Sequence, residues 1–397
     1  MAVSPTAPPS PARRRRLRAP RLGGLLAVAL AAGLAVLALT AGRDSPPRRP
    51  HHRPIPAAAA APVPLTRSTS LSAGWSGPRY RIADSQVGDI YPFTVARSGR
   101  LYMIIDDAYL HGQHPRKRNL FVQALGRPPG VTLIQIGPNE PLTRHYANGL
   151  ISVDGVLYAS RAQDWAWHER LEPFRGLYGI AYSTDEGRTW NLPDRPFGPV
   201  TGDLNFVQEG RDAANPDGFI YAISNEREYN ADQIVLGRVR PGPSNVTDPS
   251  RWEWYCGRGP CWTSRLSDAR PLLYWRRHFT YPHMTYDPAL RRYLLTFTYS
   301  YRNDVPAIYR NGAQLVMMEG PHPWGPFRTV FTQRYFGPSN GYAPSIPIPW
   351  QGPLRAGHQD VWVIWGANFW GCAQGLDCSA LYGMNMRRLR LYVHGRP

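Results

Sequence analysis

After Gly88 the chain alternates apolar and polar residues in short runs that stop at Gly, Pro, Asn or Asp. A two-residue period bounded by turn residues marks half-buried strands, and no 3.6-residue stripe persists beyond about two helical turns. The pattern predicts an all-β fold. Many runs pair across a tight turn. Residues 91–96 turn through Arg97, Ser98 and Gly99 into 100–105, and 149–153 turn through Asp154 and Gly155 into 156–160. Residues 204–208 pass through Asn215, Pro216, Asp217 and Gly218 into 219–224, and 283–286 pass through Asp287 and Pro288 into 292–299. The last copy runs from 343–348 to 360–366.

These units open near residues 88, 147, 203, 280 and 341. A quasi-period of about 60 residues, each copy beginning with an inner strand and a hairpin, predicts a five-bladed β-propeller filling residues 66–397. The longest interval holds Cys256 and Cys261 and reads as an insertion between the third and fourth blades. Ser183, Thr184, Asp185, Glu186, Gly187, Arg188, Thr189 and Trp190 spell the Asp-box, S-x-D-x-G-x-T-W, a blade hairpin turn. In it Asp185 is expected to accept turn amides, Gly187 to take a positive φ and Trp190 to pack beneath. It is a structural motif and implies no catalysis. A sialidase would add a sixth blade and an arginine triad, neither of which is found.

The amino-terminal region is different. Residues 22–41 are twenty residues without charge or Pro, preceded by Arg13, Arg14, Arg15, Arg16, Arg18 and Arg21. Twenty apolar residues span a bilayer core, and flanking arginines hold their end in the cytoplasm. The reading is a basic tail (1–21), a membrane anchor (22–41) and a Pro/Ala-rich linker (42–65), with the domain extracytoplasmic. A cleaved signal segment, which would secrete the domain, is the alternative.

Charge changes less than its size suggests. Of the formal +18 on 397 residues, half falls in residues 1–53, with ten arginines against Asp44. The rest is spread without a phosphate-tracking stripe, so no nucleic-acid partner is expected. Four cysteines form two local pairs, Cys256 with Cys261 and Cys372 with Cys378. In an exported chain these spacings favour two disulfides over a zinc cage. His111 and His114 in a basic loop read as surface, and no metal or cofactor is expected.

In a propeller the inner strands crowd an axial funnel, so polar residues opening each unit are candidates for function. They include Asp89, Tyr146, Asn148, Asp203, His283 and Tyr342. Second strands end in Asp106, Asp107 and Glu226, and the Asp89 hairpin should return Asp107 to the same rim. Neighbouring carboxylates raise one another's proton affinity, which separates an acid from a base. Asp89, Asp107, Asp203 and Glu226 are the candidate catalytic groups. Asp106, Tyr146, Asn148, Trp165, His283 and Tyr342 are candidate sugar contacts.

Several of these segments resemble bacterial propellers grouped as domain of unknown function family 4185. They are Gly88 and Asp89 with the hairpin to Asp106 and Asp107, the Asp217, Gly218, Phe219, Ile220, Tyr221 run, and Tyr342, Ala343, Pro344, Ser345 followed by Val361, Trp362, Val363, Ile364, Trp365, Gly366. The turn Trp324, Gly325, Pro326, Phe327 is similar to turns of five-bladed arabinanase-type propellers. The resemblance spans about residues 80 to 395 and implies endo-D-arabinanase activity, with Asp89 and Asp107 as catalytic acids. The expected function is thus a glycoside hydrolase acting on a furanose-containing, arabinan-like envelope polysaccharide. The alternative is a non-catalytic carbohydrate-binding or envelope-interaction propeller.

Overall fold

A computed structural model describes residues 65–82, 86–110, 117–137, 142, 146–162, 177–198, 201–226, 229–300, 313–337, 341–367 and 382–395. The segment 22–41, Trp165, His111, His114, Cys372 and Cys378 lie outside the described residues. Among the described residues no helix is long and apolar enough to cross a membrane.

The fold is all-β. β1 (Leu71–Arg81) precedes a first unit of β2 (Gln86–Asp89), β3 (Phe93–Val95), β4 (Leu101–Leu110), β5 (Lys117–Arg127) and β6 (Gly130–Gln135), in which β2 and β3 both pair with β4. The second unit is β7 (Leu150–Val153), β8 (Val156–Arg161) and β9 (Gly179–Ser183). The third is β10 (Asp203–Phe206), β11 (Ile220–Asn225) and β12 (Ala231–Val239), with a side hairpin of β13 (Glu253–Tyr255) and β14 (Trp262–Thr263). The fourth is β15 (Leu273–Asp287), β16 (Arg292–Ser300), β17 (Ala313–Gly320) and β18 (Arg328–Gln333). The fifth is β19 (Gly341–Ser345), β20 (His358–Ala367) and β21 (Asn385–Val393), whose outer edge is completed by β1.

Each hairpin read from the alternation is present, with Phe93 opposite Met103, Leu150 opposite Ala159, Leu204 opposite Ser224, Met284 opposite Leu295 and Ser345 opposite Ile364. Asp154 and Gly155 both adopt positive φ, the two-residue turn whose twist matches flanking strands. The sequence left two features unmarked. β1 carries no clean alternation, and β15 starts at Leu273, well before His283, so its first half pairs with β12 and joins units three and four into one sheet. The Cys256–Cys261 disulfide closes the β13–β14 hairpin, which is the material inserted between those units.

Five apolar clusters fill the spaces between successive units. Tyr102, Ile104 and Phe121 meet Leu150 and Ala159; Ile151 and Tyr158 meet Leu204 and Ala222. Ile223 and Leu236 meet Met284 and Phe297, and Leu294 and Met317 meet Val363 and Leu389. The fifth cluster sets Ile364 and Met386 against Phe93 and Met103, so the cycle returns to its first unit. Leading strands follow the same order: β3 contacts β7, β7 contacts β10, β10 contacts β15 and β15 contacts β19, while β2 contacts β20.

Two polar devices tie neighbouring units. In the Asp-box turn Asp185 accepts from the Thr189 N–H at 2.9 Å and hydroxyl at 2.6 Å, and Trp190 Nε1 donates to the Gly187 carbonyl at 3.1 Å. Burial alone would raise the Asp185 pKa, but these bonds and the Ser183 hydroxyl hold it down at about 2. Glu186 in the same turn reaches the first unit through Arg100 and the Tyr102 hydroxyl. At the other ends of the leading strands, Asp212 pairs with Arg97 at 2.7 Å and accepts from the Ser152 hydroxyl and the Gly155 N–H. One carboxylate thereby joins three units.

Gly187 has φ +83, and a Cβ there would stand 2.1 Å from the Phe121 ring. Gly187→Ala is expected to destabilise the fold by about 2–4 kcal/mol, combining left-handed strain with overpacking. Urea denaturation of the full chain measures it, and Thr184→Ala in the same turn serves as the surface control.

Candidate functional site

The opening ends of the leading strands are strained in a repeated way. Ile90 follows Asp89 with φ 48, Tyr281 precedes Pro282 with φ 46, and Ala343 precedes Pro344 with φ 50. A β-branched residue is a marked outlier in this region, and a residue before proline is ordinarily extended. Each such position costs about 1–3 kcal/mol and persists only where its surroundings enforce it. Tyr281 and Ala343 lie within breaks in strand register, between Thr280 and His283 and between Tyr342 and Ser345, and Ile90 follows directly on the break between Val87 and Asp89. The three residues pack together with Tyr342, and Tyr229 lies against them.

This packing brings units one, four and five together at Asp89. The Tyr342 hydroxyl donates to Asp89 Oδ2. The Tyr342 ring lies 5.9 Å from that of Tyr281, whose hydroxyl bonds the Tyr229 hydroxyl at 2.9 Å. Gly366 leaves the room: a Cβ there would stand 3.2 Å from the Asp89 Cβ. Across the first hairpin Asp89 is in register with Asp106, which is buried and accepts from the Asp107 N–H at 2.8 Å. Asp107 follows with φ 47, and its carbonyl accepts from Tyr382.

Units two, three and four contribute a second group. Asp203 opens β10 and is completely buried, with neither carboxyl oxygen in a protein hydrogen bond. Burial pushes its pKa up to about 7, tempered by the nearby Asn148 amide. Asn148 is itself buried, and its side chain makes no hydrogen bond of normal geometry. Asn205 and His283 line a small axial cavity with Phe93 and Leu150, so four leading strands meet there. Burial drives the His283 pKa down to about 3, leaving a neutral imidazole with Nε2 unpaired. Ser345 on β19 likewise has an unpaired buried hydroxyl. Orphaned polar atoms are rare inside proteins, and here they recur on β10, β15 and β19 and at Asn148, just before β7.

Two of the remaining candidates lie beside these groups in the chain. Glu226 follows Asn225, the register partner of Asp203, and accepts from the Asp232 N–H at 2.5 Å, bracing the turn between β11 and β12. Tyr146 bridges to Ala162 two residues before Asn148. Trp165 lies outside the described residues. Among the described residues no group of three or more His, Cys, Asp or Glu is placed to hold a metal. Tyr281, Tyr229, Asn205 and Ser345 were absent from the sequence-derived site. The recurrence of a residue–proline step in Tyr91–Pro92, Tyr281–Pro282 and Ala343–Pro344 could have found Tyr281, whereas nothing in the sequence marks Tyr229.

No protein-family model matches the chain, and no curated protein does. Among solved structures it is similar to an α-L-arabinofuranosidase from Podospora anserina in complex with cellotriose, at 10% identity and TM-score 0.45 over 83% of this chain and 99% of that one. It is similar to the catalytic domain of an α-L-arabinofuranosidase from Coprinopsis cinerea, at 10% identity and TM-score 0.44 over 82% and 98%. An endo-1,5-α-L-arabinanase from Thermotoga petrophila gives 11% identity and TM-score 0.42 over 80% and 73%.

Asp203 and His283 should leave opposing marks on stability. Native Asp203 keeps its proton up to about pH 7 while the unfolded chain loses it near 3.8, so its contribution falls as pH rises between those values. Unfolded His283 gains a proton near 6.5 and the native residue only at about 3, so its contribution falls as pH drops between them. The two slopes cancel where they overlap. In urea titrations of the full chain from about pH 4 to 6.5, His283→Gln is expected to lose stability as pH rises relative to wild type, by about 1.4 kcal/mol per pH unit. Asp203→Asn should show the opposite slope. Parallel profiles for all three proteins would show that neither group is buried as described.

Proposed function

We propose that the chain is a five-bladed β-propeller glycoside hydrolase that acts outside the cytoplasm on a furanose-containing, arabinan-like polysaccharide. The observation that carries this reading is the group at the openings of leading strands in which Asn148 adjoins Asp203 and His283 shares a small cavity with Asn205, where Asn148, Asp203 and His283 keep buried polar atoms outside any protein hydrogen bond of normal geometry. Sugar hydroxyls are both donors and acceptors and suit such atoms. The carboxyl groups divide into two kinds. Asp203, with its pKa near 7, still holds a proton near neutrality and can pass it to a leaving glycosidic oxygen. Asp89, whose carboxylate is oriented by the Tyr342 hydroxyl, serves as the base that activates water. Asp106 and Asp107 border Asp89 and hold ring hydroxyls, while Glu226 and Tyr146 shape the mouth. The extracytoplasmic location follows from the basic tail and apolar segment at residues 13–41.

The test is release of reducing ends from arabinan, galactan and xylan by the full chain. Arabinan is expected to be cleaved, and Asp89→Asn and Asp203→Asn should each reduce kcat/KM at least about 100-fold. The limb of the pH profile near 7 should vanish with Asp203→Asn. Saturable arabinan binding without reducing ends would replace the hydrolase with the binding-propeller alternative. Equal activity in wild type and both variants would remove these residues from the chemistry.

A further inference from the structure

The outer strands of the fifth unit carry an arrangement that the sheet itself does not explain. Arg79 on β1 is the direct register partner of Arg387 on β21. Side chains directly opposite on antiparallel strands have Cβ atoms about 5 Å apart, and like charges there are destabilising. Arg81, two residues along β1, lies on the same face, since alternate residues share a face. Three guanidinium groups therefore occupy one patch.

Among the described residues neither Arg79 nor Arg387 has a carboxylate partner. Among the described residues Arg79 donates to the Asn385 Oδ1 at 2.6 Å, and Arg387 donates to the Gly77 carbonyl at 2.8 Å while lying over the Trp75 ring. Both acceptors are neutral, whereas a guanidinium carries five donors. The carboxylate available on these strands, Asp360, is taken by Arg390 at 2.7 Å and by Arg388, a neighbour on the opposite face. Arg79 is surface-exposed yet partly desolvated. Desolvation first, then the charges of Arg81 and Arg387, lower its pKa, the mark of a cation surrounded by its own kind.

The patch lies at the same end of its sheet as the candidate site. β1 runs toward Arg81, β21 starts at Asn385 and β19 starts at Gly341, so all three place these residues at the end of the sheet where Tyr342 holds Asp89. The order β1, β21, β20, β19 sets Arg387 about 10 Å and Arg79 about 14 Å from β19, two and three strand spacings away. That is the reach of a few linked sugars.

We propose that Arg79 and Arg387, with Arg81 beside them, bind an oxyanion, carboxylate or phosphoryl, carried as a substituent on the polysaccharide that enters the site. The source of the oxyanion rests on the function proposed above; the anion site itself does not. Planar guanidinium forks match both groups through paired N–H donors.

The test is calorimetric titration of the full chain at constant ionic strength with inorganic phosphate, glucuronate and arabinose 5-phosphate, without any activity readout. Wild type is expected to bind at least one of the three saturably, and Arg79→Gln and Arg387→Gln should each weaken that binding at least 10-fold. Preference for glucuronate or for the sugar phosphate identifies the substituent. Arg388→Gln, on the opposite face, should bind as wild type does. The unliganded Arg79→Gln protein should melt at the same temperature as wild type or higher, because a repulsion has been removed; a purely structural arginine would melt lower. Absence of saturable binding, equal affinity in the Gln variants, or binding only to anionic phospholipid vesicles would overturn the proposal. Anion binding without arabinan cleavage would keep this site and reject the hydrolase.

Discussion

The pairing of β1 with β21 is the constraint on which the rest depends. It joins Leu71 to Val393 and Arg81 to Asn385, residues separated by most of the folded chain, in one antiparallel ladder. Closing so long a loop costs entropy that grows only slowly with length, so a ladder plus an apolar cluster suffices to hold it. The cluster is immediate: Ile82, just past the ladder, donates its N–H to the Met384 carbonyl and packs with Tyr91, Ile364 and Met386. The next described strand, β2, ends on Asp89. The contact between Asp89 and Tyr342 thus lies where the two ends of the domain are fastened together. The ladder and the cluster of Phe93, Met103, Ile364 and Met386 together hold the fifth unit against the first.

The leading hairpins were legible because their information is local. Period-two alternation, an Asp154–Gly155 turn and an Asp-box are each contained within a few residues. β1 was invisible for a corresponding reason. Its sequence, Leu71 to Arg81, includes Gly74, Gly77 and Pro78, and as a strand paired on one side it has little need to advertise two buried faces. Asp89, Asp203 and His283 could be picked out as polar residues opening apolar strands. Their properties could not be: the shifts at Asp203 and His283 are effects of burial by units distant in sequence, and the bond from Tyr342 to Asp89 spans the closure of the cycle. Counting along the hairpin sets Asp89 against Asp107, while the observed register places Asp106 opposite it and gives Asp107 a left-handed backbone.

The two ends of the leading strands have contrasting characters. At one end Asp212 collects Arg97, Ser152 and Gly155 in good hydrogen bonds. At the other, three left-handed residues are held by one apolar cluster, and Asn148, Asp203, His283 and Ser345 keep atoms without protein partners. The well-bonded end supplies stability that the strained end gives up, which is the division expected when a fold presents a reactive surface.

The strand shared between the third and fourth units also restricts how the molecule can move. Main-chain hydrogen bonds between β12 and β15 cross that seam, whereas the described strands at the other seams meet mainly through side chains. Side-chain contacts can slide by fractions of an ångström, but a ladder parts only by breaking its bonds. Any widening between the openings of the leading strands must therefore be taken up at the seams around units one, two and five. Asp89 would move with such an opening, while Asp203 and His283, carried on either side of the stitched seam, would keep their spacing.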